Sequence, residues 1–174
     1  MGDPVREVFV GLGSNIDPEA NLVRARESIA ARVGRIVARS RVYRTEAIGR
    51  AQADFLNQVI EVEVDAPERV GPRRLLALLL DIEVALGRPA VHETWGPRTI
   101  DLDLHAYRRA LRDEPGLVVP HPRIVERRFV LEPWADIAPG FVVPGLDATV
   151  SELRDGMRDA VGQRVEVVMR KGGQ

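Results

Sequence analysis

A period-2 pattern of apolar and polar residues within Phe55–Val64, two helical stretches each closed by a glycine, and the order strand, helix, strand, strand, helix, strand predict an α+β fold. The expected architecture is a split βαβ or ferredoxin-like antiparallel sheet with helices packed on one face, plus a C-terminal helical and strand extension.

The first strand is the apolar run Val8–Leu12, closed by the turn Gly13-Ser14-Asn15. A helix follows, with Asp17 as N-cap, Pro18 at the first helical position, Leu22, Ala25, Ile29 and Val33 on one face, and Gly34 as its stop. Ile36–Arg44 mixes β-branched residues with arginine, as a half-exposed edge strand does. In Phe55–Val64, Leu56, Ile60, Val62 and Val64 alternate with Asn57, Glu61 and Glu63, the period of a strand with one buried face. Pro72 opens a second helix whose Leu75, Leu79, Ile82 and Leu86 form one stripe before Gly87. In the strand Thr99–His105, Ile100, Leu102 and Leu104 should face the core while Asp101, Asp103 and His105 face outward. Beyond it we expect a short strand Leu117–Val119, a helix Arg123–Trp134 interrupted at Pro133, a short helix Val150–Met157 and a last strand Val165–Met169. The connections Thr45–Asp54 and Arg88–Pro97 are long for their positions and read as functional loops.

A chain of 174 residues fits one domain, so residues 1–174 are expected to form a single unit with flexible ends at about 1–6 and 171–174. The net charge of -1 argues against nucleic-acid binding as the main role, and no stretch approaches the roughly 20 apolar residues of a membrane span. With no cysteine there is no disulfide and no thiolate metal site. Cytoplasm is the expected location. The only lysine is Lys171, so the lysine-dependent P-loop is excluded and any phosphoryl chemistry must draw its positive charge from arginine and metal.

Asp101 and Asp103, two apart on a strand, emerge on the same face with Cα atoms roughly 6.6 Å apart. Magnesium takes one or two protein carboxylates and completes its shell with water and phosphate, so the pair suits Mg-nucleotide; a solvated polar face is the other reading. Aspartate is disfavoured in strands, and this segment follows Trp95-Gly96-Pro97-Arg98, a local violation of propensity of the kind found at functional sites. Arg98 and Arg88 read either as phosphate clamps or as surface ion-pair partners. Phe55 and Asn57 share a strand face and suit a flat heterocycle, or are a peripheral aromatic beside a satisfied amide. His121, between Pro120 and Pro122, is the histidine best placed to meet phosphate; no zinc spacing links the histidines.

These motifs, in order, resemble the 6-hydroxymethyl-7,8-dihydropterin pyrophosphokinase family of folate biosynthesis. The resemblance runs through Gly11–Asn15, Tyr43-Arg44-Thr45, Phe55-Leu56-Asn57, Ile82-Glu83, Gly87-Arg88, Trp95–Asp103, Pro120–Arg123 and Arg127–Leu131, and Trp95–Asp103 is its most specific part. It implies a ferredoxin-like fold and transfer of pyrophosphate from ATP to the pterin hydroxymethyl group, leaving AMP. It implies Asp101 and Asp103 as ligands of two Mg²⁺, with Arg88 and Arg98 as catalytic residues. It implies Glu83, Arg88, Trp95, Arg98, His121 and Arg127 on ATP, and Thr45, Ile48, Phe55, Asn57, Trp95 and Phe129 on the pterin. The partners it implies are the two small-molecule substrates, with neither nucleic acid nor membrane, and the expected state is a monomer. The chain departs from the family pattern at Glu46, where a proline commonly follows the threonine, at Ala90, where a basic residue often reaches phosphate, and at His105-Ala106, which replace an apolar pair.

Overall fold

The computed structural model describes residues 5–47, 51–65, 69–89, 96–157 and 164–168. Its first part runs β1 (Val5–Ser14), α1 (Pro18–Arg32), β2 (Arg35–Arg39), β3 (Tyr43–Thr45), β4 (Phe55–Val64), α2 (Pro72–Ala85) and β5 (Asp101–Tyr107). The strands pair in the order β3-β4-β1-β5, with β2 sharing the β3 side of β4, and every pairing is antiparallel. This is the ferredoxin-like arrangement. A hairpin of β6 (Arg112–Glu114) and β7 (Leu117–Val119), a 3-10 turn Ile124–Glu126, α3 (Arg128–Ile137), a small pair β8 (Val142–Val143) and β9 (Ala148–Thr149), and α4 (Val150–Gly156) follow. The last strand, β10 (Val165–Val167), returns to pair with β3.

The strand expected over Ile36–Arg44 is two strands, because Ser40 interrupts it. The Val59 N–H donates to the Ser40 hydroxyl at 3.0 Å, where a strand would offer a backbone carbonyl, and Gln58 Nε2 donates to the Ser40 carbonyl at 2.7 Å. At the start of α1, Asp17 takes the cap position with φ 41° but caps with its carbonyl alone, which accepts from Asn21 N at 3.0 Å. Val5 and Arg6, expected with a flexible end, belong to β1, and the remaining terminal residues of that expectation, 1–4 and 171–174, lie outside the described residues.

Two cores lie on opposite faces of the sheet. Beneath α1 and α2, Leu22, Ile29, Leu75, Leu79 and Ile82 meet Val8, Val10, Leu12, Ile60, Val62, Leu102 and Leu104. On the other face α3 brings Val130, Leu131, Trp134 and Ala135 against Phe9, Val59 and Ala106. The C-terminal extension thus covers the face that the N-terminal helices leave open. Helix α3 runs through Pro133 to Ile137 rather than breaking there. Proline removes one backbone donor, but the buried face of Val130, Leu131, Trp134 and Ala135 anchors both sides of it. Asp136 on the same helix accepts from Arg41 N at 3.1 Å and from the Tyr43 hydroxyl at 3.0 Å, tying α3 to the β2–β3 junction.

A β-bulge shapes the end of β5. Phe9 pairs with Ala106 and Val10 with Leu104, so His105 has no opposite residue on β1. Before the bulge, Leu102 and Leu104 face the first core; after it, Ala106 faces the second core and Tyr107 the first. His105, expected on the wet face, is 2% exposed with its ring 5.6 Å from that of Trp134. The expectation failed because the face that carries it is covered by α3.

Candidate active site

Gly11 and Gly13 lie on the α3 face of the central strand β1, opposite Asp103 and Asp101 on β5, with Gly13 also opposite Asn57 on β4. A β-carbon at Gly13 would stand 3.0 Å from Asn57 Oδ1, and one at Gly11 would strike the His105 ring. Two missing side chains therefore leave a trough in the sheet between the amide of Asn57 and the Asp101–Asp103 pair. Phe129 and Arg127, from the start of α3, overhang the trough. Together with Thr45, Phe55, Arg98 and the two aspartates they line one cleft.

On the β5 side of the cleft, Oδ1 of Asp101 accepts from Arg88 Nη1 at 2.9 Å and from Arg98 Nη1 at 3.1 Å. Arg127 Nη1 lies 3.6 Å from Asp103 Oδ2. The aspartate side chains are 36% and 32% exposed, so both carboxylates are presented to the cleft rather than sealed within the protein. Burial and then the neighbouring charge of Asp101 hold the Asp103 carboxyl above its usual range, and the arginines oppose them. Among the described residues no three His, Cys, Asp or Glu side chains converge as a closed metal cage would require. A pair of hard carboxylate donors open to solvent fits Mg²⁺, which keeps water and phosphate in its shell; it does not fit a structural zinc site.

On the β4 side, Asn57 is 8% exposed and its Nδ2 donates to Thr45 Oγ1 at 2.8 Å. Phe55 and Phe129 are half-buried and line the same cleft, and the Arg127 guanidinium stands 5.6 Å over the Phe129 ring. Two aromatic rings in one cleft with an amide and a hydroxyl suit a flat, polar-edged heterocycle. Ile48 and Trp95, expected on the same ligand, lie outside the described residues, as do parts of both loops read as functional.

The remaining expected residues are set further back. Glu83 is 2% exposed: Oε1 accepts from Leu102 N at 2.6 Å and Oε2 is bonded to Arg88. Burial pushes its carboxyl up to about 7. His121 is half-buried, its N–H donates to the His105 carbonyl at 3.2 Å and its Nδ1 accepts from Arg123 N at 3.2 Å. Burial, reinforced by Arg127 and Arg123, pushes its imidazole down to about 4.

One contributor escaped the sequence reading. Asn15, taken as part of a turn, donates through Nδ2 to the Ala53 carbonyl at 3.1 Å and accepts from Arg98 N at 2.7 Å. The Ser14 hydroxyl donates to the Thr99 carbonyl at 2.6 Å. The turn after β1 is thus a junction that fixes the approach to Phe55 and the segment carrying Arg98. The legible signal was the spacing of Gly11 and Gly13, since glycines two apart inside a strand mark a close approach on one face.

Residues 9–139 match the model of the 7,8-dihydro-6-hydroxymethylpterin-pyrophosphokinase (HPPK) family. The chain belongs to the HPPK family. A Methylorubrum extorquens protein named 2-amino-4-hydroxy-6-hydroxymethyldihydropteridine pyrophosphokinase is 43% identical over 161 residues, which cover 91% of this chain and 98% of that protein. A Bacillus subtilis protein of the same name is 39% identical over 135 residues, covering 74% of this chain and 76% of its own length. Among solved structures, a Plasmodium falciparum HPPK-DHPS triple mutant with pteroate superposes with a TM-score of 0.66 at 14% identity; the match covers 88% of this chain and 43% of that one. At that identity the likeness concerns the fold. The HPPK-matching segment contains the trough, both aspartates and the arginines around them.

Proposed function

We propose that this protein transfers the pyrophosphoryl group of ATP to the hydroxymethyl oxygen of 6-hydroxymethyl-7,8-dihydropterin in folate biosynthesis, giving the pterin diphosphate and AMP. The observation that carries the reading is the facing of two walls across the Gly11–Gly13 trough. One wall holds Asp101 and Asp103 among Arg88, Arg98 and Arg127; the other holds the Asn57–Thr45 pair, with Phe55 and Phe129 lining the same cleft.

In this reading the acceptor ring lies between Phe55 and Phe129 with its polar edge on Asn57 and Thr45. Its hydroxymethyl group then points along the trough toward the aspartates. Ile48 and Trp95 contact the pterin as the resemblance implies. Arg88, Arg98, Arg127 and His121 hold the nucleotide phosphates, and Arg88 and Arg98 stabilise the charge that shifts as the acceptor oxygen bonds to the β-phosphorus and the bond to the AMP oxygen breaks. Asp101 and Asp103 would hold two Mg²⁺, which supply neutralisation of phosphate charge when bound. The neutral imidazole of His121, its Nδ1 accepting from Arg123 N, leaves Nε2–H to donate a hydrogen bond without adding charge. Positioning is the main contribution of the protein, since phosphoryl transfer asks for little covalent help. A single cytoplasmic unit acting as a monomer belongs to the same proposal.

The test is product analysis after incubation with ATP, Mg²⁺ and the pterin, omitting each in turn. AMP and pterin diphosphate formed only in the full mixture is the expected result. ADP in place of AMP would exclude pyrophosphoryl transfer.

A further inference from the structure

Glu83 reaches the site from behind. It projects from α2, the helix covering the opposite face of the sheet, and is 2% exposed among the stripe that includes Leu79 and Ile82. Its Oε1 takes the N–H of Leu102, the residue between the two aspartates, at 2.6 Å. Strand β5 lies at the end of the sheet, so an N–H pointing away from β1 has no strand to receive it, and the carboxylate serves in its place. Its Oε2 is bonded to Arg88, whose Nη1 also donates to Asp101 Oδ1 at 2.9 Å. The backbone joins in: Gly87, at φ 99°, ends the helix, and Arg88 N donates to the Glu83 carbonyl at 2.9 Å.

A buried ion pair is poor evidence of selection for stability, because a well-packed apolar residue of similar size often serves as well or better. What an apolar residue cannot do is hold a backbone N–H and a guanidinium at once. We infer that Glu83 is a positioning residue, fixing Arg88 and the Asp101–Asp103 segment relative to each other and acting on the nucleotide through them rather than by touching it. This rests on the proposed function, and deepens it by moving Glu83 out of the set of direct nucleotide contacts.

The experiment compares wild type, Glu83→Gln, Arg88→Ala and the double variant. It measures Tm, AMP formation, and affinity for the Mg²⁺ complex of α,β-methylene-ATP by calorimetry. Glu83→Gln keeps an acceptor for Leu102 N and loses the charge that holds Arg88. Its Tm should stay within a few degrees of wild type, while kcat/KM for ATP falls by about 30-fold, the range seen when a supporting residue is removed from a site. In the Arg88→Ala background the same change should add almost nothing, because the two residues act as a unit. Losses that multiply in the double variant would mean Glu83 touches the nucleotide itself. A lowered Tm with unchanged kinetics would mean its role is only structural. Either result overturns the inference. Arg88→Lys is informative even if Glu83→Gln does not fold: an ammonium lacks the guanidinium fork that joins the two carboxylates, so it should lose as much activity as Arg88→Ala, and near wild-type activity would refute the bridge. Should wild type form no AMP at all, the proposed function fails, while the calorimetric comparison still tests Glu83.

Discussion

Asn15 and Arg98 exchange hydrogen bonds in both directions: Arg98 N donates to Asn15 Oδ1 at 2.7 Å, and Asn15 N donates to the Arg98 carbonyl at 3.0 Å. The pair joins the end of β1 to the start of the segment that delivers Arg98 and Asp101. Asn15→Ala breaks one half of the exchange and leaves the Arg98 N–H without its partner. Stability should fall by about 1–3 kcal/mol in urea denaturation, and kcat/KM should fall by at least about 10-fold because Arg98 loses its fixed origin. Wild-type kinetics in Asn15→Ala would show that Arg98 does not depend on the turn.

Asp101→Asn and Asp103→Asn keep the size of each side chain and remove the charge. Because both carboxylates are about one-third exposed and neither supports a core, each variant should fold with a far-UV spectrum like that of wild type. AMP formation should drop by about 100- to 1,000-fold, and raising Mg²⁺ should recover part of it if the metal assignment holds. Full activity in both variants would refute that assignment.

Gly11 and His105 are bound by space. A methyl group at Gly11 strikes the imidazole, whose ring lies 5.6 Å from that of Trp134. Gly11→Ala should destabilise by about 1–3 kcal/mol, the usual range for overpacking. Gly11→Ala combined with His105→Ala should be less unstable than the sum of the two single changes. A double-mutant cycle in urea measures the coupling, and strict additivity would place the two residues out of contact.

Burial pushes the His105 imidazole down to about 3 from an ordinary value of 6.5. The sign follows from proton uptake: between those values the unfolded chain binds the proton and the folded one does not, so the neutral ring's contribution is complete above about 6.5 and declines as pH falls toward 3. Wild type should therefore lose about 2 kcal/mol through His105 between pH 7 and pH 5. His105→Met should lack that part of the slope. Glu83, held up to about 7, acts in the opposite sense and is present in both proteins, as is His121. Parallel urea titrations at pH 7 and pH 5 isolate the difference; identical slopes would show that the ring is protonated in the folded state.

Elements whose information is local were legible in the sequence. Strand β4 occupies Phe55–Val64 as its alternation predicts, and α2 buries Leu75, Leu79 and Ile82 as its stripe predicts. The division of β2 from β3 was not legible, because it depends on the Ser40 hydroxyl meeting a backbone N–H nineteen residues away. His105 was misread for a related reason: alternation says which residues share a face but not what covers that face. The cover is α3, whose Pro133 argued locally for a break. At the site, the aspartates and arginines stood out by chemical type, whereas Asn15 did not, because its contribution lies in two contacts with distant segments.

The bulge at His105 divides β5 into two stretches that keep opposite phase. Drawing the whole strand into one continuous register with His105 paired would make Ala106 and Tyr107 exchange faces, driving a phenol ring toward the Phe9–Trp134 core, while Asp101 and Asp103 kept their partners on β1. The strand thereby behaves as two independently adjustable modules. The bulge insulates the carboxylate end, so length changes downstream in the chain can be absorbed without retuning the chemistry upstream.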